Sequence, residues 1–412
     1  MTLAVNPTKH KPTVLVLAST FPRWKSDPEP GFILELARRL GADWHVVVLC
    51  PHARGAQSSE KMDGVEVIRY RYAPESLETL VNDGGIVTNL RNKKWKLLLV
   101  PSFVLAQAWA AWRICRTRQI AVIHAHWLIP QGLIAAILQT LPGRRVPFVV
   151  TSHGADLYAL RAAVLAAIKK YVLSKADSAT VVSGAMRDLL IQMGTPREKV
   201  AVIPMGVDMV DRFVPSPSTP REPGALLFVG RLVEKKGLGY LLEAMPTILK
   251  IWPEVTLRIA GFGPDEASLK TQVQNLGLQD KVQFLGAMRQ EDLPALYQRA
   301  SIFVAPFVRA ASGDQEGLPV ALMEAVACGC PAIAGDVAGL ADIFGLHASE
   351  CIVDPRNVQK LADTVIQTLE NPEIALKRAL EMRTHLMDHL NWENVAERYS
   401  EVLKRAATPS AA

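Results

Sequence analysis

The 412-residue chain has only five cysteines, Cys50, Cys115, Cys328, Cys330 and Cys351. An odd and scattered set cannot build a disulfide framework, so small secreted scaffolds are excluded and a reducing compartment is expected. Long apolar runs are also scarce. The longest, residues 97–112, is interrupted by Pro101, Ser102 and Gln107. It falls short of the roughly 20 residues that span a bilayer, so no spanning helix is expected. Residues 1–12 lack the apolar core of a secretory signal, and a cytoplasmic location is expected. Charged residues make up 21% against 49% hydrophobic, which excludes a disordered chain. The length exceeds one core of about 100–200 residues and predicts two domains.

The net charge of +6 is unevenly spread. Residues 1–215 hold 27 Lys and Arg against 16 Asp and Glu, whereas residues 216–412 hold 19 against 24. A basic first half either faces an anionic partner (a membrane surface, nucleic acid or phosphorylated substrate) or carries ordinary solvated lysines. No base-stacking motif accompanies the charge, so nucleic acid is not an expected partner.

Short apolar runs alternate with helical patterns in both halves. Strands are expected at 13–18, 44–49, 64–70, 122–125, 146–151 and 178–182, with a helix at 31–40 among those between. Four prolines, Pro215, Pro217, Pro220 and Pro223, then break both periods and mark a linker. The pattern resumes with strands at 225–229, 255–260, 282–285, 302–305 and 331–334. Helices are expected at 237–251, 266–276, 292–299, 318–328 and 358–369. An amphipathic tail helix follows at 391–405, and 406–412 is expected to fray. Strand–helix alternation of this kind predicts an α/β fold with two doubly wound parallel sheets. Ligands of such sheets sit at the carboxyl ends of the strands, here in the cleft between the domains. We place the first domain at 1–206, the second at 207–390 with 207–223 as linker, and a returning helix and tail at 391–412.

Three segments carry the chemistry. GRLVEKKG at 230–237 follows a strand and opens a helix, a position where cations meet anions already drawn to backbone N–H groups. AGFGPDE at 260–266 has a GxG but Glu266 in place of a third glycine, which disfavours a nicotinamide dinucleotide. Its glycines allow a nucleotide close to the backbone. In DQEGLPVALME at 314–324, Glu316 and Glu324 flank an expected helix start. Two carboxylates accept hydroxyls while the helix end holds phosphate, which suits a sugar nucleotide. In the first half, His153 and Gly154 end a strand and are placed to face the cleft. His124 and His126 end another, but no companion cluster with metal-ligand spacing lies near, so no metal site is expected. Cys328 and Cys330 lack redox spacing and read as packing.

Together these segments resemble the retaining glycosyltransferases of family 4, which have the GT-B fold. The resemblance runs through TFPR at 20–23 with Gly31-Phe32, HAHW at 124–127, SHGAD at 152–156, VSGAMRDLL at 182–190 and IPMGVD at 203–208. It continues through GRLVEKKG, AGFGPDEASL, FLGAMRQEDLPALYQRA and EGLPVALMEAVACGCPAIA, where Glu316 and Glu324 match the family's E-x7-E. It implies two Rossmann-like domains facing across a cleft, with the final helix crossing back to the first. It also implies roles. Arg231 and Lys236 would hold the donor diphosphate with the N–H groups of Gly317 and Leu318, and Gly263 would lie beside the donor. Glu316 would bind the donor sugar and Glu324 the ribose. Met288 and Arg289 would meet the base, and His153 the donor sugar and phosphates. Gly31, His126 and Asp156 fall on the acceptor side. The implied reaction transfers a sugar from a UDP- or GDP-sugar to a glycan or lipid-linked acceptor in surface polysaccharide synthesis, with retention, without bound metal and without another cofactor. Residues 91–118, with cations flanking an apolar stretch, would be a peripheral contact with the inner face of a membrane; the alternative is a core helix with a solvated basic end. Rival readings are a non-catalytic sugar- or polyanion-binding protein and another GT-B enzyme, such as a sugar-nucleotide epimerase.

Overall fold

The structure, a computed structural model, describes residues 11–408 apart from 26, 28, 30, 83–84, 142–144, 159–161 and 338. The side chains of Val87, Thr88, Arg91, Asn92 and Asp342 also lie outside the description, as do residues 409–412 of the expected tail.

The first sheet comprises β1 (Thr13–Leu17), β2 (His45–Pro51), β3 (Ser59–Met62), β4 (Val65–Tyr70), β5 (Ile120–His126), β6 (Phe148–Ser152), β7 (Ser178–Val181) and β8 (Val200–Val202). Their order is β3-β4-β2-β1-β5-β6-β7-β8. All neighbours pair in parallel except β3, which runs antiparallel to β4. The second sheet comprises β9 (Ala225–Val229), β10 (Thr256–Ala260), β11 (Val282–Gly286), β12 (Ile302–Ala305), β13 (Ala332–Gly335) and β14 (Ile352–Val353). It is wholly parallel, in the order β11-β10-β9-β12-β13-β14. Central strands such as ALLFV of β9 are buried at every position. That is why they read as continuous apolar runs rather than alternating ones. In each sheet the order reverses beside the first strand, between β1 and β5 and between β9 and β12. Those switch points open crevices at the carboxyl ends, where the chemical motifs lie.

Two chain segments cross between the sheets, and they pair with each other. Val207 N–H donates to Leu390 O at 2.9 Å, and Val207 bridges Asn391 in parallel. A methyl group on Gly206 would lie 2.6 Å from the Trp392 ring, so the crossing needs glycine there. Helix Trp392–Ala407 then packs on the first core through Trp392, Val395, Tyr399 and Leu403. Its polar side is pinned as well: Trp44 Nε1 donates to Ser400 Oγ at 3.0 Å, and Lys404 pairs with Asp43 at 2.6 Å.

Among the elements not expected from sequence are β3, β8, β14, the short helices Ala341–Phe344 and Ala348–Cys351, and helix Pro372–Leu390. The apolar stretch at 97–112 also differs. It belongs to a helical segment, Lys94–Thr117, of 24 residues, long and apolar enough by composition to span a bilayer. Phe103, Gln107, Ala111 and Ile114 bury one face against the first domain. Leu98, Leu105 and Trp109 on other faces are exposed.

Candidate active site

The loop after β9 is built by glycines that no other residue replaces. Gly237 has φ +66°, and a Cβ there would lie 1.8 Å from Pro306 O. Lys235 O accepts from Val308 N–H and Glu234 Oε1 from Ala311 N–H, tying this loop to the one after β12. The result is a cluster of opposite charges. Glu316 lies 3.3 Å from Lys235 Nζ and 3.2 Å from Lys236 Nζ, and Lys235 also meets Asp314 at 3.4 Å. Lys236 rests over the Phe307 ring at 4.8 Å. Burial opposes the Glu316 charge, but the two lysines outweigh it and hold its carboxyl at about 2. Their own responses differ. Glu316 and Asp314 raise Lys235 despite burial, whereas at Lys236 burial and the neighbouring cations Lys235 and Arg231 win and lower it. Arg231 is lowered by burial too, against the pull of Glu29, Asp314 and Asp265. Glu316 is thus shared by Lys235 and Lys236 with Arg231 close by, and cations gathered at one loop in this way suit an anion. Lys235 was not singled out from sequence, although it adjoins Lys236 in the same motif.

The first domain closes over this cluster. Gly154, at φ +106°, brings its backbone against Gly317, and a methyl on Gly317 would lie 2.8 Å from His153 O. Phe32 and Trp127 flank the His153 ring at centroid distances of 5.0 and 5.2 Å. Trp127 itself has φ +74°, a strained backbone of the kind that gathers at functional sites. Beside the cluster, a cavity of about 300 Å³ is lined from both domains by Glu29, Gly31, Phe32, Arg212, Arg289, Gln290 and Glu324, among others. Glu324 is buried at its wall. Tyr297 donates to its Oε2 at 3.0 Å and Gln290 to its Oε1, yet burial prevails and pushes the carboxyl up to about 7.

The structure brings His153, Arg231, Lys236, Glu316 and Gly317 to one place, with Gly31, Arg289 and Glu324 around the adjoining cavity. Other expectations need correcting. Helix Val320–Ala327 starts two residues later than expected, with Pro319 as N-cap, so Gly317 and Leu318 precede the helix. Gly263 is required by packing: a Cβ there would lie 2.2 Å from Leu232 O. His126 and Asp156 are 1% and 4% exposed and do not reach the acceptor side of the cleft. Asp156 instead accepts from Leu128 N–H at 2.7 Å and from Ser152 Oγ at 2.8 Å, bracing the His153 loop. Arg289 is exposed and engaged by Glu291 and Asp292, and Met288 packs on the second core. Cys328 and Cys330 are buried at the end of the Glu324 helix. Among the described residues no group of three or more His, Cys, Asp or Glu could hold a metal ion.

Comparison with known proteins agrees with this architecture. Residues 32–206 match the glycosyl transferase 4-like domain and residues 211–385 the glycosyl transferases group 1. The chain therefore belongs to the family 4, group 1 glycosyltransferases and has the GT-B fold. WcaL of Escherichia coli K12, whose name assigns it to colanic acid biosynthesis glycosyltransferases, is 34% identical over 263 residues, 62% of this chain and 64% of that one. The amylovoran biosynthesis glycosyltransferase AmsK of Erwinia amylovora is 30% identical over 273 residues, 66% of each. The chain thus spans a little under two thirds of the length of these relatives. A GDP-mannose-dependent phosphatidylinositol monomannoside mannosyltransferase of Mycolicibacterium smegmatis is 28% identical over 284 residues, 66% of this chain and 74% of that one. Among solved structures, sucrose-phosphate synthase from Thermosynechococcus elongatus superposes with a TM-score of 0.75 at 20% identity, covering 96% of this chain and 99% of that one. HepE of Anabaena, in complex with UDP and glucose, superposes with a TM-score of 0.72 at 17% identity over 95% and 99%.

Proposed function

We propose that this protein is a glycosyltransferase that moves a sugar from a UDP- or GDP-sugar to a glycan or lipid-linked acceptor in surface polysaccharide or glycolipid synthesis. The observation that carries this reading is the Glu316 carboxylate held between Lys235 and Lys236 where the two domains meet. Arg231 and the lysines neutralise the diphosphate as its charge grows in the transition state. Glu316 accepts sugar hydroxyls, and Glu324 in the adjoining cavity takes the ribose. The bond from the anomeric carbon to the diphosphate oxygen breaks, and the acceptor oxygen bonds to the same face. The acceptor proton passes to the departing diphosphate oxygen. The configuration is retained, and the cations do the work that a metal does elsewhere. The names of the relatives above, with colanic acid, amylovoran and a phosphatidylinositol mannoside among them, support the acceptor class and a GDP-sugar donor.

The acceptor is reached at a membrane surface, at the inner face of the cytoplasmic membrane. Leu98, Leu105 and Trp109 are 80%, 69% and 63% exposed, beside Lys93, Lys94 and Arg113. Apolar residues edged by cations suit an anionic interface, each cation contributing about 1 kcal/mol near the surface.

A transfer assay with UDP- and GDP-sugars tests the reaction. The expected result is product of retained anomeric configuration by NMR, at a rate unchanged by EDTA and lowered roughly 10- to 100-fold in Lys236→Ala. Unchanged turnover in that variant contradicts the reading, as does an inverted product. Cosedimentation with vesicles tests the membrane contact. Binding to anionic but not neutral vesicles is expected, with loss in a Leu105→Asp, Trp109→Asp double variant. Equal binding by that variant contradicts the assignment of the surface.

A further inference from the structure

His126 contacts no part of the cleft, yet it contacts the residue that does. Its Nδ1 lies 2.9 Å from Nε2 of His153. The two ring planes are within 7° of each other and the centroids are 5.1 Å apart. Facing nitrogens so close, in rings so nearly parallel with centroids so far apart, meet edge to edge along a lone-pair direction. This is an N–H···N hydrogen bond, which needs one donor and one acceptor.

The surroundings decide which is which. The other nitrogen of His126, Nε2, is buried with no hydrogen-bond partner among the described residues. A buried N–H without a partner is rarer than a buried acceptor left bare. The His126 proton therefore sits on Nδ1, which donates, and His153 Nε2 accepts. His153 then carries its own proton on Nδ1, the ring nitrogen that His126 does not engage. Burial favours the neutral form of both rings, aided at His126 by its neighbours His124 and His153 and at His153 by His124. A neutral ring with Nε2 engaged can only donate from Nδ1.

We propose that His126 is a positioning residue that fixes His153 as the Nδ1–H tautomer, so that His153 donates a hydrogen bond to a ligand oxygen in the cleft and does not act as a base. The identity of that ligand rests on the function proposed above; the tautomer does not. Phe32 and Trp127 keep the ring from turning. The second histidine of the HAHW motif thereby sets the chemistry of the histidine in SHGAD from behind.

Nitrogen-15 NMR of the full-length protein tests this directly. Deuterated protein labelled at its histidines gives long-range proton–nitrogen correlations that tell a protonated ring nitrogen from a bare one. The His153 signals are assigned by their loss in His153→Gln. In the wild type His153 is expected to show a protonated Nδ1 and a bare Nε2. His126→Phe keeps the ring volume but removes the donor, so the bare His153 Nε2 is expected to shift downfield as it loses the hydrogen bond it accepts. His126→Asn places an amide N–H near the lost donor and is expected to restore the wild-type Nε2 shift. A wild-type His153 protonated on Nε2 overturns the proposal, as does an unchanged His153 Nε2 shift in a folded His126→Phe. None of these readouts needs a donor or acceptor, so they stand or fall apart from the glycosyl-transfer reading. Where transfer is measured, His126→Phe is expected to lower kcat about tenfold at little cost in donor KM, with rescue by His126→Asn. Equal loss in both variants also overturns it.

Discussion

Replacing Glu316 with Gln separates the two roles that the charge cluster combines. The carboxyl is held at about 2 against an ordinary 4.5. That gap corresponds to on the order of 3 kcal/mol of interaction favouring the ionised form. Lys236, already lowered by burial and by its fellow cations, offsets part of it. We expect Glu316→Gln to lose about 1–3 kcal/mol of stability at pH 7, which lowers Tm by roughly 2–10 °C for domains of this size. Because the folded value lies below the unfolded one, the stabilisation is complete above about pH 4.5 and disappears as pH falls toward 2. The gap between wild type and variant should therefore narrow in melts taken from pH 7 to pH 3. Removing the negative charge should leave nucleoside diphosphate binding intact or stronger, since Lys235 and Lys236 are freed for phosphate, while sugar transfer is lost. Thermal melts with and without UDP or GDP, run beside a transfer assay, read all three effects. A variant as stable as wild type at pH 7 would falsify the charge-cluster argument. A variant that loses nucleotide binding outright would move Glu316 from the sugar to the nucleotide.

Other outcomes follow from the same geometry. Lys235→Ala should reduce donor affinity or turnover about as much as Lys236→Ala, by roughly 10- to 100-fold for a lost charge-assisted hydrogen bond, measured by steady-state kinetics; an unaffected enzyme would confine the role to Lys236. Glu324 is pushed up to about 7 by burial, so its ionisation destabilises the native state as pH rises from 4.5 through 7. Glu324→Gln should therefore melt progressively higher than wild type between about pH 4.5 and 7 and by a constant margin above that, up to about 3 kcal/mol, while the donor KM loses its pH dependence near pH 7. Gly263→Ala, whose methyl would meet Leu232 O, should cost about 1–3 kcal/mol and displace the adjoining Arg231; a Tm within 1 °C of wild type, on the order of a few tenths of a kcal/mol, would contradict that packing.

The parallel strands were legible because burial on both faces turns them into unbroken apolar runs, as in TVLVL of β1 and ALLFV of β9. Strand β3, SEKM, buries only Met62 and lies at the sheet's edge, and β14 has two residues; neither leaves a periodic signal. Helix Pro372–Leu390 buries Ala375, Ala379, Met382, Leu386 and Leu390, a helical stripe in which two alanines carry little hydrophobic signal. At the site, the spacing of eight between Glu316 and Glu324 was readable, but their environments were not. Lysines from the loop after β9 lower one carboxyl, and burial, against hydrogen bonds from Tyr297 and Gln290, raises the other. Sequence also placed His126 and Asp156 at the surface of the cleft, since motif membership does not tell a residue that touches ligand from one that holds its neighbour. The contacts that decide this, His126 with His153 and Asp156 with Leu128, join β5, β6 and the loop behind them.

Equilibrium binding of UDP and GDP to the wild type, Arg231→Ala and Lys236→Ala tests the central claim most directly. At least one nucleotide is expected to bind the wild type by calorimetry, and each substitution to weaken it by about tenfold or more, in variants that still fold. Failure of both nucleotides to bind the folded wild type, or equal affinity in the variants, would contradict it.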